Sequence, residues 1–396
     1  MGLLYQDRVR RQVVAALEHG ALCVCDLFAK TQGAFPQDVK QALDDLVTEG
    51  TVVLANGTAT LAAPARPSAC PGDPSLALRA LDRVEPHPVD YDWRFSPGTI
   101  EWLATEFVSR HLSRARWACL GTPTLFVHLR ALGFDAVLYE RNRSIVEAIR
   151  DGRAICQDLT LPVPGRSFDA VVADPPWYAD YYKIFLSRAS EILVDDGFLF
   201  LAVLPRLTRP SACADRLDVQ RTALALGFEI CEVRPATLAY DTPAFEKRSL
   251  ENAGVACKQW RRGDLFVLQR VWNEAGAPLV QPDDYGLWQE YAFGSVRVKV
   301  RRGSVKKKGA LLMRLPEATL VSRRSPLRPD VDLWTSQNDA YRVGDLDLLH
   351  RVLRELQAGI SPQQLVDELP TVNDDDQASL ACLLLNLWNA RLGGQP

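Results

Sequence analysis

The sequence predicts an α/β protein whose main domain is a doubly wound parallel sheet. Segments with strand and helix patterns alternate from residue 116 to residue 270, as in parallel sheets covered by helices on both faces. The run 170–173, Ala-Val-Val-Ala, is apolar throughout, which is typical of a strand buried on both faces. Two prolines follow it, and because proline cannot donate a backbone hydrogen bond, the chain must leave the sheet there.

Length and composition indicate a multidomain cytoplasmic protein. The chain has 396 residues and a net charge of −3, so we expect two or three domains and no global attraction to nucleic acid. No apolar stretch is long enough to span a membrane, and the N-terminus has no signal pattern. The nine cysteines are scattered and lack zinc-site spacing, which predicts reduced thiols, no metal and cytoplasmic localisation.

Residues 1–62 carry the pattern of three helices and a hairpin. The helices are expected at 7–19, 24–28 and 36–50, and the strands at 52–55 and 58–61. Asn56-Gly57 is a strong signal for the hairpin turn. This order resembles a winged-helix domain, which implies either DNA contact or a protein interaction module. The third helix carries four acidic residues against Lys40 alone, a poor match for a phosphate backbone.

A proline-rich stretch predicts a linker over residues 63–94. The main domain is then expected over 95–272. Its seven strands are expected at 117–120, 136–139, 154–156, 170–173, 198–204, 229–233 and 265–269. Residues 193–197 are expected to turn from a helix into the fifth of these strands.

Seven strands in this order, the sixth of them following a Gly227-Phe228 turn, resemble a class I S-adenosylmethionine-dependent methyltransferase with its Rossmann-like sheet. The resemblance covers residues 95–272 and implies S-adenosyl-L-methionine as the cofactor. Glu140 ends the second strand, 19 residues after Gly121, a spacing typical of an acid that binds ribose hydroxyls. Alternatively, Glu140 is an exposed acid paired with a neighbouring arginine.

Three other residues complete the expected cofactor site. In the family that the sequence resembles, an acid at the end of the third strand often contacts the adenine amino group, which is the role expected of Asp158. Gly121 lies in the first strand–helix turn, where backbone amides approach the ligand. Thr99 is expected either to contact the methionine end of the cofactor or to cap a helix.

Asp174, Pro175 and Trp177 belong to an Asp-Pro-Pro-Trp sequence that resembles the catalytic motif of amino-group methyltransferases acting on adenine N6 or cytosine N4. In that family the aspartate and the first proline carbonyl accept hydrogen bonds from the target amine, and the aromatic residue stacks on the base. The carboxylate would also stabilise positive charge that develops on nitrogen. Alternatively, the motif is a strand exit whose aromatic rings fill a core crevice. Further acceptor-binding residues are expected at Tyr178, Tyr240 and Asp241.

Two alternative functions stand beside methyl transfer, and the turn after the first strand bears on both. This turn has Cys119 where an acid is usual and Pro123 where an amide would face the ligand. The domain order is also similar to that of branched-chain polyamine synthases, which implies aminopropyl transfer from decarboxylated S-adenosylmethionine to a polyamine. Residues 122–124, however, are uncharged here, and Trp177 favours a planar acceptor. A non-catalytic scaffold or regulatory protein with a degenerate methyltransferase fold is the third hypothesis.

Residues 273–396 differ in charge from the rest of the chain. Between Arg297 and Arg328, eleven Lys or Arg residues stand against one acid, Glu317. We expect a basic strand and loop region over 273–344 and a helical region over 345–396, with helices at 346–357, 362–369 and 376–392. The basic segment predicts contact with nucleic-acid phosphates, or alternatively an exposed hairpin that balances the acidic helices. The N-terminal region and the C-terminal helices are candidate surfaces for a protein partner.

Overall fold

The structure is a computed structural model, and it divides the chain into two compact units. One unit contains residues 1–71 and 104–114, and the other contains residues 72–103 and 115–396. The residues that the structure describes are 2–18, 20–31, 34, 36–62, 74–163, 167–252, 254–255, 260–272, 286–304, 306, 310–316, 325–369 and 374–393. Within these ranges, no helix is both long and apolar enough to cross a membrane.

The first unit contains three helices and a small antiparallel sheet. Its elements are α1 (Gly2–Leu17), β1 (Leu22–Cys23), α2 (Val24–Lys30), α3 (Pro36–Thr48), β2 (Val52–Ala55) and β3 (Thr58–Leu61). The sheet order is β1-β3-β2, and Asn56 and Gly57 both have positive φ, as a two-residue hairpin turn requires. Val13, Leu27 and Leu43 lie in its core. The expected helices and hairpin are confirmed, with β1 as an additional strand.

The second unit begins with elements that the sequence assigned to a linker. From residue 74 onward the stretch 63–94 contains a helix, a 3-10 turn and the start of a strand, while residues 63–73 lie outside the described ranges. The elements are α4 (Pro74–Asp82), the turn Pro88–Asp90, β4 (Arg94–Phe95) and the first part of α5 (Pro97–Ser109), whose residues 104–109 belong to the first unit. Residues 74–94 are therefore part of the folded unit and do not form the expected linker.

Alternating strands and helices follow, as the sequence predicts. They are β5 (Arg116–Leu120), α6 (Pro123–Ala131), β6 (Asp135–Glu140), α7 (Arg143–Ile149), β7 (Ala154–Cys156), β8 (Phe168–Ala173), α8 (Ala179–Ile192), β9 (Leu193–Val203), α9 (Ala212–Ala225), β10 (Phe228–Asp241), α10 (Ala244–Asn252) and β11 (Arg262–Arg270). All seven expected strands are present. Residues 193–197, expected as a turn, are already part of β9 and pair with β8 through Leu193 and Phe168.

The main sheet is mixed rather than parallel throughout. Its eight strands have the order β4-β10-β11-β9-β8-β5-β6-β7. The pairs from β9 to β7 are parallel, whereas β11 is antiparallel to both β9 and β10, and β4 is antiparallel to β10. Because β11 runs backwards, its amino end lies at the edge where the parallel strands have their carboxyl ends. This edge is where α/β sheets bind ligands.

The C-terminal part forms a second sheet covered by helices. Its elements are β12 (Trp288–Phe293), β13 (Val296–Arg301), β14 (Leu312–Arg314), β15 (Leu333–Thr335), β16 (Ala340–Val343), α11 (Leu346–Ala358), α12 (Pro362–Asp367) and α13 (Asp374–Gly393). The sheet order is β12-β13-β15-β16-β14. Strand and helix residues share one core, with Val298, Leu333, Leu353 and Leu384 fully buried. The regions expected separately at 273–344 and 345–396 are thus one packed module, in which the leucine face of α13 is covered.

Candidate active site

A cavity opens at the carboxyl edge of the parallel strands. It contains about 900 Å³ of space free of protein atoms, counted with its open mouth. Gly121, Glu140, Asp158 and Asp174 line it from the ends of β5, β6, β7 and β8. Residues 90–93, Arg141 and Arg261 contribute further charged and aromatic groups to its wall. With Pro175, Trp177 and Tyr240, which also line the cavity, seven of the ten sequence-predicted site residues lie in one place.

Asp174 holds a hydrogen bond inside this cavity. The Tyr240 hydroxyl donates to its Oδ1 at 2.8 Å. Burial raises the pKa of the Asp174 carboxyl to about 7, against the opposing effects of the Tyr240 hydrogen bond and the charge of Arg261. A carboxyl with this pKa is ionised in a large fraction of molecules near neutral pH and is able to accept a hydrogen bond or a proton from a ligand.

Arg261 lies over the rings of the acceptor side of the cavity. Its guanidinium carbon is 3.8 Å from the ring centroid of Trp177, 4.3 Å from that of Trp93 and 5.7 Å from that of Tyr240. Trp177 and Tyr240 pack edge to face, with centroids 5.7 Å apart. The face of Trp177 that the sequence predicts to stack on a base is therefore in contact with an arginine in this structure.

The nucleotide side combines two acids with an unused amide. Glu140 accepts a hydrogen bond from the Asn142 backbone at 2.8 Å, and burial raises the pKa of its carboxyl to about 7. Asp158 accepts hydrogen bonds from the backbone and hydroxyl of Thr160, both at 2.8 Å on Oδ1. The Asn142 side-chain nitrogen is buried without a hydrogen-bond partner in the described part of the chain. This donor and the two acids suit the hydroxyls of a ribose and an adenine amino group.

The turn between β5 and α6 approaches the cavity through Gly121. Gly121 has φ +64°, and a Cβ built there lies 3.4 Å from the Phe185 ring, so a side chain would be strained and would occupy ligand space. Its backbone nitrogen already donates to the Tyr139 carbonyl at 3.1 Å. Pro123 has no amide to offer. The turn provides close approach for a ligand but fewer backbone donors than the usual glycine-rich loop.

Three predicted site residues are not among those that line the cavity. The Thr99 hydroxyl donates to the Ala239 carbonyl at 3.0 Å and accepts from the Ala239 amide at 2.8 Å, so it joins α5 to β10. Tyr178 packs against Tyr91, with ring centroids 5.2 Å apart. Asp241 pairs with Arg94 in the sheet and is exposed. Their expected ligand contacts have no geometric support.

Arg261 and Trp93 are cavity residues that the sequence did not single out. Arg261 directly precedes β11, and its position becomes informative only once that strand is known to be antiparallel. Trp93 lies in the stretch expected to be a linker. The one available signal was composition, since the segment Tyr-Asp-Trp at 91–93 is aromatic and charged and unlike the small residues of a flexible linker.

A buried charge cluster supports residues 90–93 from the C-terminal module. Arg297 is 1% exposed and contacts Asp90 and Glu290, the latter at 2.8 Å. Lys299 contacts the same two acids. The charges of Lys299 and Arg297 hold the pKa of Asp90 well below its ordinary value despite burial. The charged face of β13 is thus turned inward, and these two cations are not available to a phosphate backbone.

Other members of the basic segment are also engaged within the module. Arg301 donates to the Val331 carbonyl at 2.7 Å, and Arg328 is 6% exposed and donates to the Tyr91 hydroxyl at 3.1 Å. Arg302 is exposed. Glu317 and four of the eleven cations lie outside the described residues, namely Lys307, Lys308, Arg323 and Arg324.

Comparison with known proteins gives similarity only at the level of structure. No family model and no curated protein matches the chain. A branched-chain polyamine synthase mutein from Thermus thermophilus, in complex with N4-aminopropylspermidine and 5′-methylthioadenosine, is 17% identical with a TM-score of 0.45, over 69% of this chain and 90% of that chain. A proposed RNA methyltransferase from Pyrococcus horikoshii is 18% identical with a TM-score of 0.37, over 50% and 97%.

A methyltransferase with bound cofactor matches with a lower TM-score. Human N-acetylserotonin methyltransferase in complex with S-adenosylmethionine is 12% identical with a TM-score of 0.27, over 68% of this chain and 95% of that chain. Because every one of these TM-scores is below 0.5, we draw no functional conclusion from the similarities. The chemistry proposed below rests on the residues of the cavity.

Proposed function

We propose that the chain is an S-adenosylmethionine-dependent methyltransferase that acts on an exocyclic amino group of a planar acceptor. The observation that supports this most is the position of Asp174 at the end of β8, in one cavity with Glu140 and Asp158. Such a transfer needs one acid that accepts a hydrogen bond from the amine and further acids that accept hydrogen bonds from the nucleoside of the cofactor. Their meeting at the carboxyl edge of a parallel sheet agrees with where ligands bind in this class of fold.

The residues of the nucleotide side fit the adenosine part of the cofactor. Glu140 would accept hydrogen bonds from ribose hydroxyls, and Asp158 would accept one from the adenine amino group. The unpartnered Asn142 side-chain nitrogen would donate to a ribose oxygen or a ring nitrogen. Ile145 and Leu159 line the same side and would contact the faces of the adenine ring. When bound, the cofactor supplies a methyl group on a positively charged sulfonium.

On the acceptor side, Asp174 performs the central task. As a carboxylate it accepts a hydrogen bond from the amine, which concentrates the nitrogen lone pair and turns it away from the ring system. As the nitrogen gains its fourth bond it becomes positively charged, and the carboxylate stabilises that charge and then takes the proton. The Tyr240 hydroxyl at 2.8 Å orients the carboxyl. The surrounding rings of Trp93 and Trp177 exclude water, and the guanidinium of Arg261 lies over both.

Aminopropyl transfer to a polyamine is the second candidate, and the charge of the lining favours it. Five acids line the cavity, Asp90, Asp92, Glu140, Asp158 and Asp174, against the two arginines Arg141 and Arg261. Such a lining attracts cations. However, Asp90 is neutralised by Arg297 and Lys299, and Arg261 is positively charged beside Asp174. We therefore rank methyl transfer first.

We propose adenine N6 or cytosine N4 of nucleic acid as the acceptor. Fewer basic residues are available to contact its phosphates than the sequence indicated. The buried cations Arg297, Lys299 and Arg328 are engaged internally. Phosphate contacts would have to come from exposed basic residues such as Arg302 and Lys306. Replacing these two by glutamine should weaken oligonucleotide binding and flatten its dependence on salt.

The cofactor is tested by isothermal titration calorimetry with S-adenosylmethionine. We expect saturable binding to the parent protein and at least tenfold weaker binding to Glu140→Gln, because the amide cannot accept as strongly from the ribose. Glu147→Gln is the matched control, since Glu147 is exposed on the following helix. Absence of binding at millimolar cofactor would reject the proposal and favour the non-catalytic scaffold.

The acceptor is tested by transfer of labelled methyl to DNA, RNA, protein and polyamines in parallel. Label in nucleic acid that depends on Asp174 is the expected result. The same set is run with decarboxylated S-adenosylmethionine. Product formed only from the decarboxylated compound and a polyamine would replace methyl transfer by aminopropyl transfer.

A further inference from the structure

We propose that Arg261 binds an oxyanion, a carboxylate or phosphate, that enters the cavity with one of the reacting molecules. This inference rests on the proposed function and names a chemical group that the ligands must carry. The anion is either part of the amine acceptor or the carboxylate at the methionine end of the cofactor. In both cases its site is the guanidinium over Trp93 and Trp177.

The contacts of Arg261 leave its hydrogen-bonding capacity unused. The guanidinium carbon lies 3.8 Å from the Trp177 centroid and 4.3 Å from the Trp93 centroid. Aromatic faces stabilise the positive charge, but they have no lone pairs to accept the five N–H groups of an arginine. Its Nε is buried without a hydrogen-bond partner in the described part of the chain. A buried donor without a partner carries an unfavourable free energy that a ligand atom would remove.

Two acids, Asp174 and Glu246, act on Arg261 by their charge, but neither accepts a hydrogen bond from its guanidinium in the described part of the chain. The Oδ1 of Asp174 accepts the hydroxyl of Tyr240 at 2.8 Å, and the charge of Arg261 acts on Asp174 as a neighbouring field that lowers the pKa of the carboxyl. The other buried arginines of this unit are paired differently. Arg216, for example, contacts Asp264 at 2.7 Å, and Arg297 contacts Asp90 and Glu290. Arg216 also lies over a ring, that of Phe266, so Arg261 differs from these two in that its guanidinium contacts rings and no acid in the described part of the chain.

A planar guanidinium held by rings is suited to oxyanions in particular. Its paired N–H groups match the two oxygens of a carboxylate or phosphate, and the rings fix its orientation before the ligand arrives. The fixed charge also selects among amines. A polycation would bring its charge against Arg261, whereas an amine that carries a carboxylate or phosphate would place its anion on Arg261 and leave its nitrogen for Asp174.

The test measures binding of paired probes that differ by the anion alone. The pairs are 4-aminobenzoate and aniline, adenosine 5′-monophosphate and adenosine, and S-adenosylhomocysteine and its decarboxylated analogue. The first two pairs are titrated with and without S-adenosylhomocysteine. We expect the anionic member of at least one pair to bind about tenfold more tightly to the parent, as a charge-assisted contact provides. The first two pairs report an acceptor anion, and the third reports the cofactor carboxylate.

Three variants connect this preference to Arg261. Arg261→Gln is expected to remove it, and Arg262→Gln, at an exposed neighbouring position, is expected to keep it. Arg261→Lys keeps the charge but cannot form two parallel hydrogen bonds, so the preference should fall at least threefold; this variant decides the matter should Arg261→Gln not fold.

The result that overturns the inference is equal binding within all three pairs, or a preference that survives the loss of Arg261. Failure of the proposed function has a different signature. In that case no S-adenosylmethionine binds, while the preference for 4-aminobenzoate over aniline is present and depends on Arg261.

Discussion

Replacing Asp174 by asparagine is expected to stabilise the folded protein above neutral pH while it removes methyl transfer. Burial raises the pKa of this carboxyl from 3.8 to about 7. Between pH 3.8 and about pH 7, Asp174 is ionised in the unfolded chain and protonated in the folded chain. Its contribution to the free energy of unfolding is therefore fully present below about pH 4 and is lost as the pH rises to about 7. Asparagine resembles the protonated form at every pH.

The magnitude follows from the two pKa values. Each pH unit inside the window lowers the free energy of unfolding of the parent by about 1.4 kcal/mol, so the advantage of Asp174→Asn should grow by about 2.5 kcal/mol from pH 5 to pH 8. The Tyr240 hydroxyl keeps a partner because the asparagine carbonyl accepts the same hydrogen bond. Glu140 is also buried with a raised pKa, but it is present in both proteins and its effect cancels.

The assay is urea unfolding at several pH values, followed by tryptophan fluorescence. All nine tryptophans lie between residues 93 and 388, within the unit that carries the cavity, so the signal follows that unit. Asp218→Asn, which removes an exposed carboxylate from α9, is the control and should keep a constant difference from the parent. A gap between Asp174→Asn and the parent that stays the same from pH 5 to pH 8 would refute the assignment of a raised pKa.

Three further outcomes are expected. Arg297→Met should lower the free energy of unfolding by about 3 kcal/mol, because it leaves the buried acids with Lys299 alone. Urea titration measures this change, and an unchanged midpoint would contradict a stabilising role for the buried charge cluster. Tyr240→Phe removes the hydrogen bond that lowers the pKa of Asp174, so the pH midpoint of the proposed methyl transfer should rise. Initial rates across pH measure the midpoint, and a lower midpoint would count against this role of Tyr240. Gly121→Ala should lower the free energy of unfolding by about 1–2 kcal/mol, because alanine is strained at positive φ, and it should weaken cofactor binding. Thermal unfolding and calorimetry measure the two effects. An affinity equal to that of the parent would show that this turn does not contact the cofactor.

The sequence predicted the strands of the main sheet because their signal is local. The run Ala-Val-Val-Ala at 170–173 lies inside β8, and Asp174 follows it at the ligand edge. The positions of Glu140 and Asp158 were predictable for the same reason, since Glu140 ends β6 and Asp158 lies two residues after β7, and the apolar residues of each strand indicate where it lies. A short segment of sequence is therefore enough to place a residue at the end of a strand.

What the sequence did not predict depends on contacts between distant segments. The direction of β11 is decided by its pairing with β9 and β10, and this direction alone brings Arg261 to the cavity. The basic pattern of β13 indicated a surface for phosphates, yet Arg297 is buried because Asp90, 207 positions earlier, neutralises it. Charge patterns in a sequence do not specify which partners a fold will bring to them.

The ion pairs of Asp90 also have a consequence for the order in which the protein can be completed during synthesis. The cavity wall at residues 90–93 is made early, but the cations that neutralise Asp90 come 207 and 209 positions later in the chain. Until they emerge from the ribosome, Asp90 has Arg141 as its one cationic partner among the described residues, and its burial is less favourable than in the finished protein. A nascent chain can therefore pair β5 to β9 before the cavity wall at residues 90–93 is fully neutralised, which requires translation beyond residue 299.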